Sequence, residues 1–163
     1  MKIRLAQKDD IPRIIHHRIE MFRSMGYDDE LLRRATPKIQ DFMENEWDDS
    51  IKCFLATENG EVVGGCAVSV YSRLPNPRKI QCARIAYIHN VFVEPEFRRK
   101  GIATALMIEV VSFFTKRGIK KFTLHNTEMS SGLYRRLGFT KVENYYELWT
   151  DTEMPRPKPS LPG

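Results

Sequence analysis

The run Arg98-Arg99-Lys100-Gly101-Ile102-Ala103 has the residue types of an anion site. It follows the apolar stretch Val91-Phe92-Val93 and a turn containing Pro95, and it opens a segment of helical period. The first N–H groups of a helix lack partners within it, and the helix dipole makes that end positive. A pyrophosphate fits such an end. Gly101 removes a side chain where phosphate must approach backbone. Ala103 keeps the next inward position small, and Arg98, Arg99 and Lys100 add positive charge. The bare pattern also suits a plain helix start with solvated basic residues. Walker A spacing and the dinucleotide pattern Gly-x-Gly-x-x-Gly are both missing.

Other side chains could move protons. His89 stands two residues before Val91. Histidine starts near ~6.5, which suits a general base at neutral pH. On a regular strand Tyr87, His89 and Val91 share one face; a bulge would turn His89 away. A satisfied structural histidine is the alternative. Tyr134 taken alone reads as a packed aromatic. Of His16 and His17, at least one is expected at the surface, and His125 reads as structural. Cys53, Cys66 and Cys82 form no C-x-x-C pair and are odd in number. Reduced thiols in a reducing compartment are therefore expected, not a disulfide framework or zinc site. No metal is expected, since no H-E-x-x-H or comparable ligand set occurs.

These residues need elements to position them. The alternation of Lys2–Ala6 suits a strand. Asp9, Asp10 and Pro12 open a helix carrying Ile11, Ile14, Ile15, Ile19 and Phe22, and Gly26 closes it. Residues 28–48 form a second helical region that Pro37 interrupts or restarts. Residues 53–57 and 61–71 are strands joined at Asn59-Gly60, a strong hairpin signal. Residues 74–79 hold Pro75 and Pro77 and read as loop. Ile85–Val93 is a strand. Arg99–Arg117 is helical, with Ile102, Leu106, Val110 and Phe113 on one face and Gly118 at its end. Lys121–His125 is a strand, Thr127–Leu137 a short helix ended by Gly138, and Phe139–Trp149 strand again. The order is β-α-α-β-β-β-α-β-α-β. Residues 1–150 read as one domain and residues 151–163 as a Pro-rich tail.

The bulk numbers agree. The chain has 163 residues, 42% of them hydrophobic and 29% charged, which suits a single globular domain. A net charge of +5 is compatible with an anionic ligand and too mild to imply nucleic acid. No apolar run of ~18 residues predicts a membrane span. The N-terminal residues lack the apolar core of a signal peptide, so the cytoplasm is the simplest location.

The stretch Val91-x-Val93-x-Pro95-x-Phe97-Arg98-Arg99-Lys100-Gly101-Ile102-Ala103 resembles the central motif of the GNAT superfamily. That motif has Arg or Gln, two variable residues, Gly, one variable residue, then Gly or Ala. Leu124-His125-Asn126, followed by Gly132-Leu133-Tyr134-Arg135-Arg136-Leu137-Gly138-Phe139, is similar to a second motif of the same superfamily. The resemblance covers roughly residues 2–149. It implies an α+β fold: a mixed, mostly antiparallel central sheet flanked by helices, with two central strands splayed to form a coenzyme A cleft.

By the same resemblance, Val91, Phe92 and Val93 offer backbone groups to the pantetheine arm and acetyl carbonyl. Arg98, Arg99, Lys100, Gly101, Ile102, Ala103 and Thr104 wrap the pyrophosphate through backbone N–H groups. Asn126 approaches from the neighbouring strand, and Tyr134 points at the thioester sulfur. One enzyme of the superfamily has histidine at the place matching His89. The implied activity is transfer of the acetyl group of acetyl-CoA to a primary amine by direct attack in a ternary complex. Residues 22–49 and 72–84 are implied to choose the acceptor. The acids at 28–30 and 41–49 could draw a cationic amine or be a solvated helix face. A small molecule or a peptide is an open acceptor, and a homodimer is possible. Arg98–Lys100, Arg135 and Arg136 leave a nucleic-acid-binding domain as a rival, without an aromatic-interleaved recognition motif to support it.

Overall fold

The computed structural model describes residues 1–142 except 48–49, 76, 78–82 and 126–129. Strand β1 spans Lys2–Leu5, and helices α1 and α2 span Ile11–Ser24 and Asp29–Asn45. Strands β2, β3 and β4 follow at Ile51–Glu58, Glu61–Ser72 and Arg84–Val93. Helix α3 covers Ile102–Thr115, strand β5 Lys121–Leu124 and helix α4 Ser131–Arg136. The five strands lie in sequence order in one sheet. Neighbours are antiparallel except β4 and β5, which are parallel. This is the mixed, mostly antiparallel sheet that the resemblance implied.

Local chemistry sets the boundaries. Asp28 caps α2 by accepting the Leu31 N–H at 2.9 Å. Asn59 and Gly60, at φ 51° and 84°, form the two-residue turn between β2 and β3. Such a turn needs positive φ at both central positions, which Asn and Gly supply with little strain. Pro37 does not interrupt α2, which runs through it unbroken. Proline removes one helical N–H and strands the carbonyl four residues back. Here that carbonyl belongs to Arg33, on an exposed face where water can take it. The last expected strand is not seen at 139–142, and residues 143–149 lie outside the described residues, as does the tail.

Each sheet face is covered. On one side Ile11, Ile14 and Ile15 of α1 and Met43 of α2 pack on Cys53, Leu55 and Ala67. On the other, Ile102, Leu106, Met107, Val110 and Phe114 of α3 pack on Phe54, Val63, Cys66, Val68, Ala86 and Ile88. Phe114 is fully buried, while Phe113, expected on that face, packs at its margin. Each such buried side chain contributes roughly 1.5–3 kcal/mol. Together they fix the sheet as the rigid frame on which the site residues stand.

Candidate active site

The pairing of β4 creates an opening. Its Ile85–Ile88 segment pairs with Lys121–Leu124 of β5. β5 ends there, while β4 continues to Val93 and, among the described residues, has only β3 beside it. Residues 89–93 therefore present a strand edge on the side that β5 has left.

The basic turn stands at the end of this edge. Pro95–Phe97 forms one 3-10 turn. Arg99 and Gly101 then take left-handed conformations, with φ 64° and 80°. Glycine enters that region without strain, which is why it sits at the N-cap of α3. No side chain caps this helix. Its first ladder bond runs from the Ala105 N–H to the Gly101 carbonyl at 3.0 Å, so the N–H groups of 102–104 precede the ladder. A Cβ added to Gly101 would meet no atom within 4 Å, so protein does not fill the space beside it. The donors, the helix end and the open approach fit a phosphate.

The cations of the turn divide their roles. Arg98 Nε donates to the Val93 carbonyl at 2.9 Å, and its guanidinium lies 5.7 Å over the Phe92 ring. It pins the turn to β4. Lys100 Nζ lies 4.9 Å over the Phe97 ring.

A β-bulge decides where His89 points. Ile88 pairs with Val68 and Asn90 with Ala67, so His89 is the extra residue. Paired residues on adjacent strands share a face. Ile88, Val91 and Val93 thus belong to the α3 side, and Asn90 and Phe92 to the α1 side. The regular alternation that would put His89 with Val91 is broken. His89 joins Tyr87 on the α1 side, their rings 4.8 Å apart in an edge-to-face arrangement. Its Nε2 is hydrogen-bonded to Ser69 Oγ at 2.7 Å. Burial, with Arg18 nearby, pushes its pKa down to about 4. The ring is therefore neutral at pH 7 and a weaker base than free imidazole. Tyr87 Oη is 2.6 Å from His125 Nδ1, tying β4 to the residue that follows β5 where the two strands part.

Tyr134 approaches from the opposite side. It packs against the α3-side core and meets Phe139 edge-to-face at 5.8 Å. Burial, helped by the neighbouring Cys66, pushes its phenol up to about 12. It stays protonated at neutral pH and acts as a hydrogen-bond donor. Asn126 lies outside the described residues.

A polar clamp holds the end of β4 against α1. Glu94 Oε1 lies 3.6 Å from Arg13 Nη1, 3.3 Å from His16 Nε2 and 3.4 Å from His17 Nε2. His16 is exposed, but His17 is only 1% exposed. Neither ring nitrogen of His17 has a hydrogen bond. A protonated His17 would gain Glu94, yet its enclosure and the neighbouring His16 and Arg13 outweigh that, and its pKa falls to about 4. Gly65 leaves room for the ring, since a Cβ there would sit 2.9 Å from His17 Nδ1.

Sequence reasoning missed Arg18, Ser69, Asn90 and Glu94. Arg18 carried a signal: it sits in the Ile11, Ile14, Ile15, Phe22 stripe, where a cation breaks the apolar pattern. Asn90 is 5% exposed with its Oδ1 unpartnered, and only the bulge brings it to its place. The cysteines carry no chemistry here. Cys53 and Cys66 are buried free thiols pushed upward by burial, Cys53 to about 12, and Cys82 is outside the described residues. Among the described residues no cluster of metal-ligating side chains occurs, and no helix is long and apolar enough to cross a membrane.

Known proteins share this fold. A solved GCN5-related N-acetyltransferase from Ralstonia eutropha is 29% identical, with a TM-score of 0.85 over 92% of this chain and 99% of that one. A predicted acetyltransferase from Clostridium acetobutylicum, solved with acetyl-CoA, shares the fold at a TM-score of 0.81 and 22% identity, over 90% and 94% of the two chains. An uncharacterised N-acetyltransferase of Chlorobaculum tepidum is 29% identical over 102 residues, 60% of this chain and 57% of the relative. The matched stretch thus spans little more than half of that curated relative. The model of the acetyltransferase (GNAT) family matches residues 13–139. With that match across most of its length, the chain belongs to the acetyltransferase (GNAT) family.

Proposed function

We propose that this protein transfers the acetyl group of acetyl-CoA to a primary amine by direct attack in a ternary complex. The observation that carries the reading is the parting of β4 from β5 directly before an uncapped, glycine-started helix. One ligand path would then follow the strand edge to the helix end. Acetyl-CoA supplies the activated acetyl group and a leaving thiolate.

The chain's own groups have separate tasks. Backbone N–H groups of Arg99 through Thr104 hold the pyrophosphate, while the Arg98 N–H, expected to join them, is donated to the Pro95 carbonyl at 3.3 Å and the Arg98 side chain keeps the turn in shape through Val93. The edge of Val91, Phe92 and Val93, which no described strand pairs on the β5 side, takes the pantetheine amides. A backbone N–H near Val91 would stabilise charge that develops on the carbonyl oxygen. Asn126 contributes from the β5 side. Tyr134 donates a hydrogen bond to the departing sulfur; a phenol near 12 steadies a thiolate more readily than it protonates one. His89 lies on the α1 side with Tyr87, and the amine arrives there. Neutral His89, bridged to Ser69, is the candidate acceptor of the amine's proton.

Thiol release from acetyl-CoA, followed with a panel of amines, tests this reading. Amine-dependent release with matching acetylated product is expected. Saturable acetyl-CoA binding with no release for any amine would show a binding module instead.

A further inference from the structure

Three of the six arginines and lysines of α1 and α2 face acids, and Arg34 and Lys38 are exposed to solvent. Arg13 meets Glu94, Arg23 pairs with Glu20 and Asp29, and Arg33 with Glu30. Arg18 differs. It is half-buried, and among the described residues no carboxylate forms an ion pair with it. Its guanidinium lies 5.0 Å over the Phe22 ring. It is also within electrostatic range of both Tyr87 and His89. Those two residues belong to the α1-side group at the point where β4 and β5 part.

A cation withdrawn from water without a counter-ion is costly to keep. Burial accordingly pulls the Arg18 guanidinium below its usual range. The planar face is already occupied by Phe22, which leaves the N–H edge as the recognition surface. That edge presents paired donors suited to a carboxylate or phosphate. None of the four acids of α2 forms an ion pair with Arg18, and three of them are engaged elsewhere. Asp29 and Glu30 are exposed and paired with Arg23 and Arg33, and Glu44 is exposed beside Gln40. Arg18 thus brings a half-buried positive charge to the Tyr87–His89 group.

We propose that Arg18 binds an oxyanion of the acceptor, so that the substrate class is an amine that also carries a carboxylate or phosphate. This rests on the acetyltransferase reading and adds the acceptor's chemistry to it. Phe22 and Tyr87 would flank the carbon skeleton, Arg18 would hold the anion, and the amine would lie toward His89. The arrangement selects against polyamines and simple alkylamines, because their cations would face Arg18 unpaired.

The test uses matched amines: lysine with cadaverine, tyrosine with tyramine, and glucosamine 6-phosphate with glucosamine. The first two pairs report on carboxylate and the third on phosphate. For at least one pair the wild type should prefer the anionic member by about 10- to 100-fold in kcat/KM, the scale of a charge-assisted, two-pronged contact. Arg18→Gln should collapse that ratio toward one, chiefly through KM, and Arg18→Lys should restore part of it. Acetyl-CoA affinity of both variants, measured by calorimetry, should match wild type and shows that the fold is kept. No preference in any pair, no acetylation of any anionic amine, or an unchanged ratio in Arg18→Gln overturns the proposal. Loss of acetyl-CoA binding by the wild type would instead defeat the acetyltransferase reading.

Discussion

Lowering the pH should destabilise this protein through His17, and the size of the effect follows from its enclosure. In the unfolded chain histidine titrates near ~6.5. In the folded protein the His17 pKa falls to about 4, with burial as the first cause. The folded state therefore binds fewer protons than the unfolded state between these values. Stability is full above about pH 6.5 and is lost as pH falls toward 4. Between pH 7 and pH 4.5 the loss from this one group is about 2 kcal/mol. Urea denaturation of wild type and His17→Leu at several pH values isolates it. Leucine can fill much of the space but cannot titrate, and carboxylate contributions are common to both proteins. The variant's stability should fall less steeply with acid by about that amount, whatever its stability at pH 7. Equal pH slopes in the two proteins would refute the reasoning and mean that Glu94, at 3.4 Å, offsets the burial of His17.

Other outcomes follow from single contacts. Tyr134→Phe keeps the ring against Phe139 and loses only the hydroxyl, so kcat should drop by roughly 10- to 100-fold at an unchanged melting temperature. If His89 is the base, the acidic limb of the rate profile lies near pH 4, since protonation there removes the acceptor. His89→Gln should abolish that limb, and an unchanged profile excludes the role. Gly64→Ala would place a Cβ 2.8 Å from the Phe92 carbonyl and 3.3 Å from a Val93 methyl. It should lower stability by about 1–3 kcal/mol and weaken acetyl-CoA binding by shifting the strand edge; thermal melts and calorimetry read both.

Much of the frame was legible because its signals are local. Asn59-Gly60 specifies a hairpin by backbone conformation alone, and Gly118, φ 84°, follows α3 as expected, whereas the helix starts at Ile102 and not Arg99 because Arg99 and Gly101 take left-handed conformations. The turn before α3 could be read for the same reason, since helix-end donors belong to consecutive residues. The facing of His89 was not local. Two-residue periodicity put it with Val91, and only the register against Ala67 and Val68 moves it to the α1 side. Likewise Glu94 is one more acid in the sequence until α1 brings Arg13, His16 and His17 to it. Pro37 misled in the opposite sense, because a proline on an exposed helix face frees a carbonyl that water can serve.

The central claim is that the turn before α3 is a pyrophosphate site. Calorimetric titration with acetyl-CoA, for wild type and Gly101→Glu, tests it most directly. The substitution puts a carboxylate into open space beside the uncapped amides, at a residue with φ 80°. Backbone strain there costs about 1–2 kcal/mol, so a melting curve should confirm that the variant still folds. The account predicts saturable binding by wild type and loss of about 100-fold or more in the folded variant, on the scale of repelled charge-assisted contacts. Equal binding by both proteins, or none by folded wild type, would contradict it.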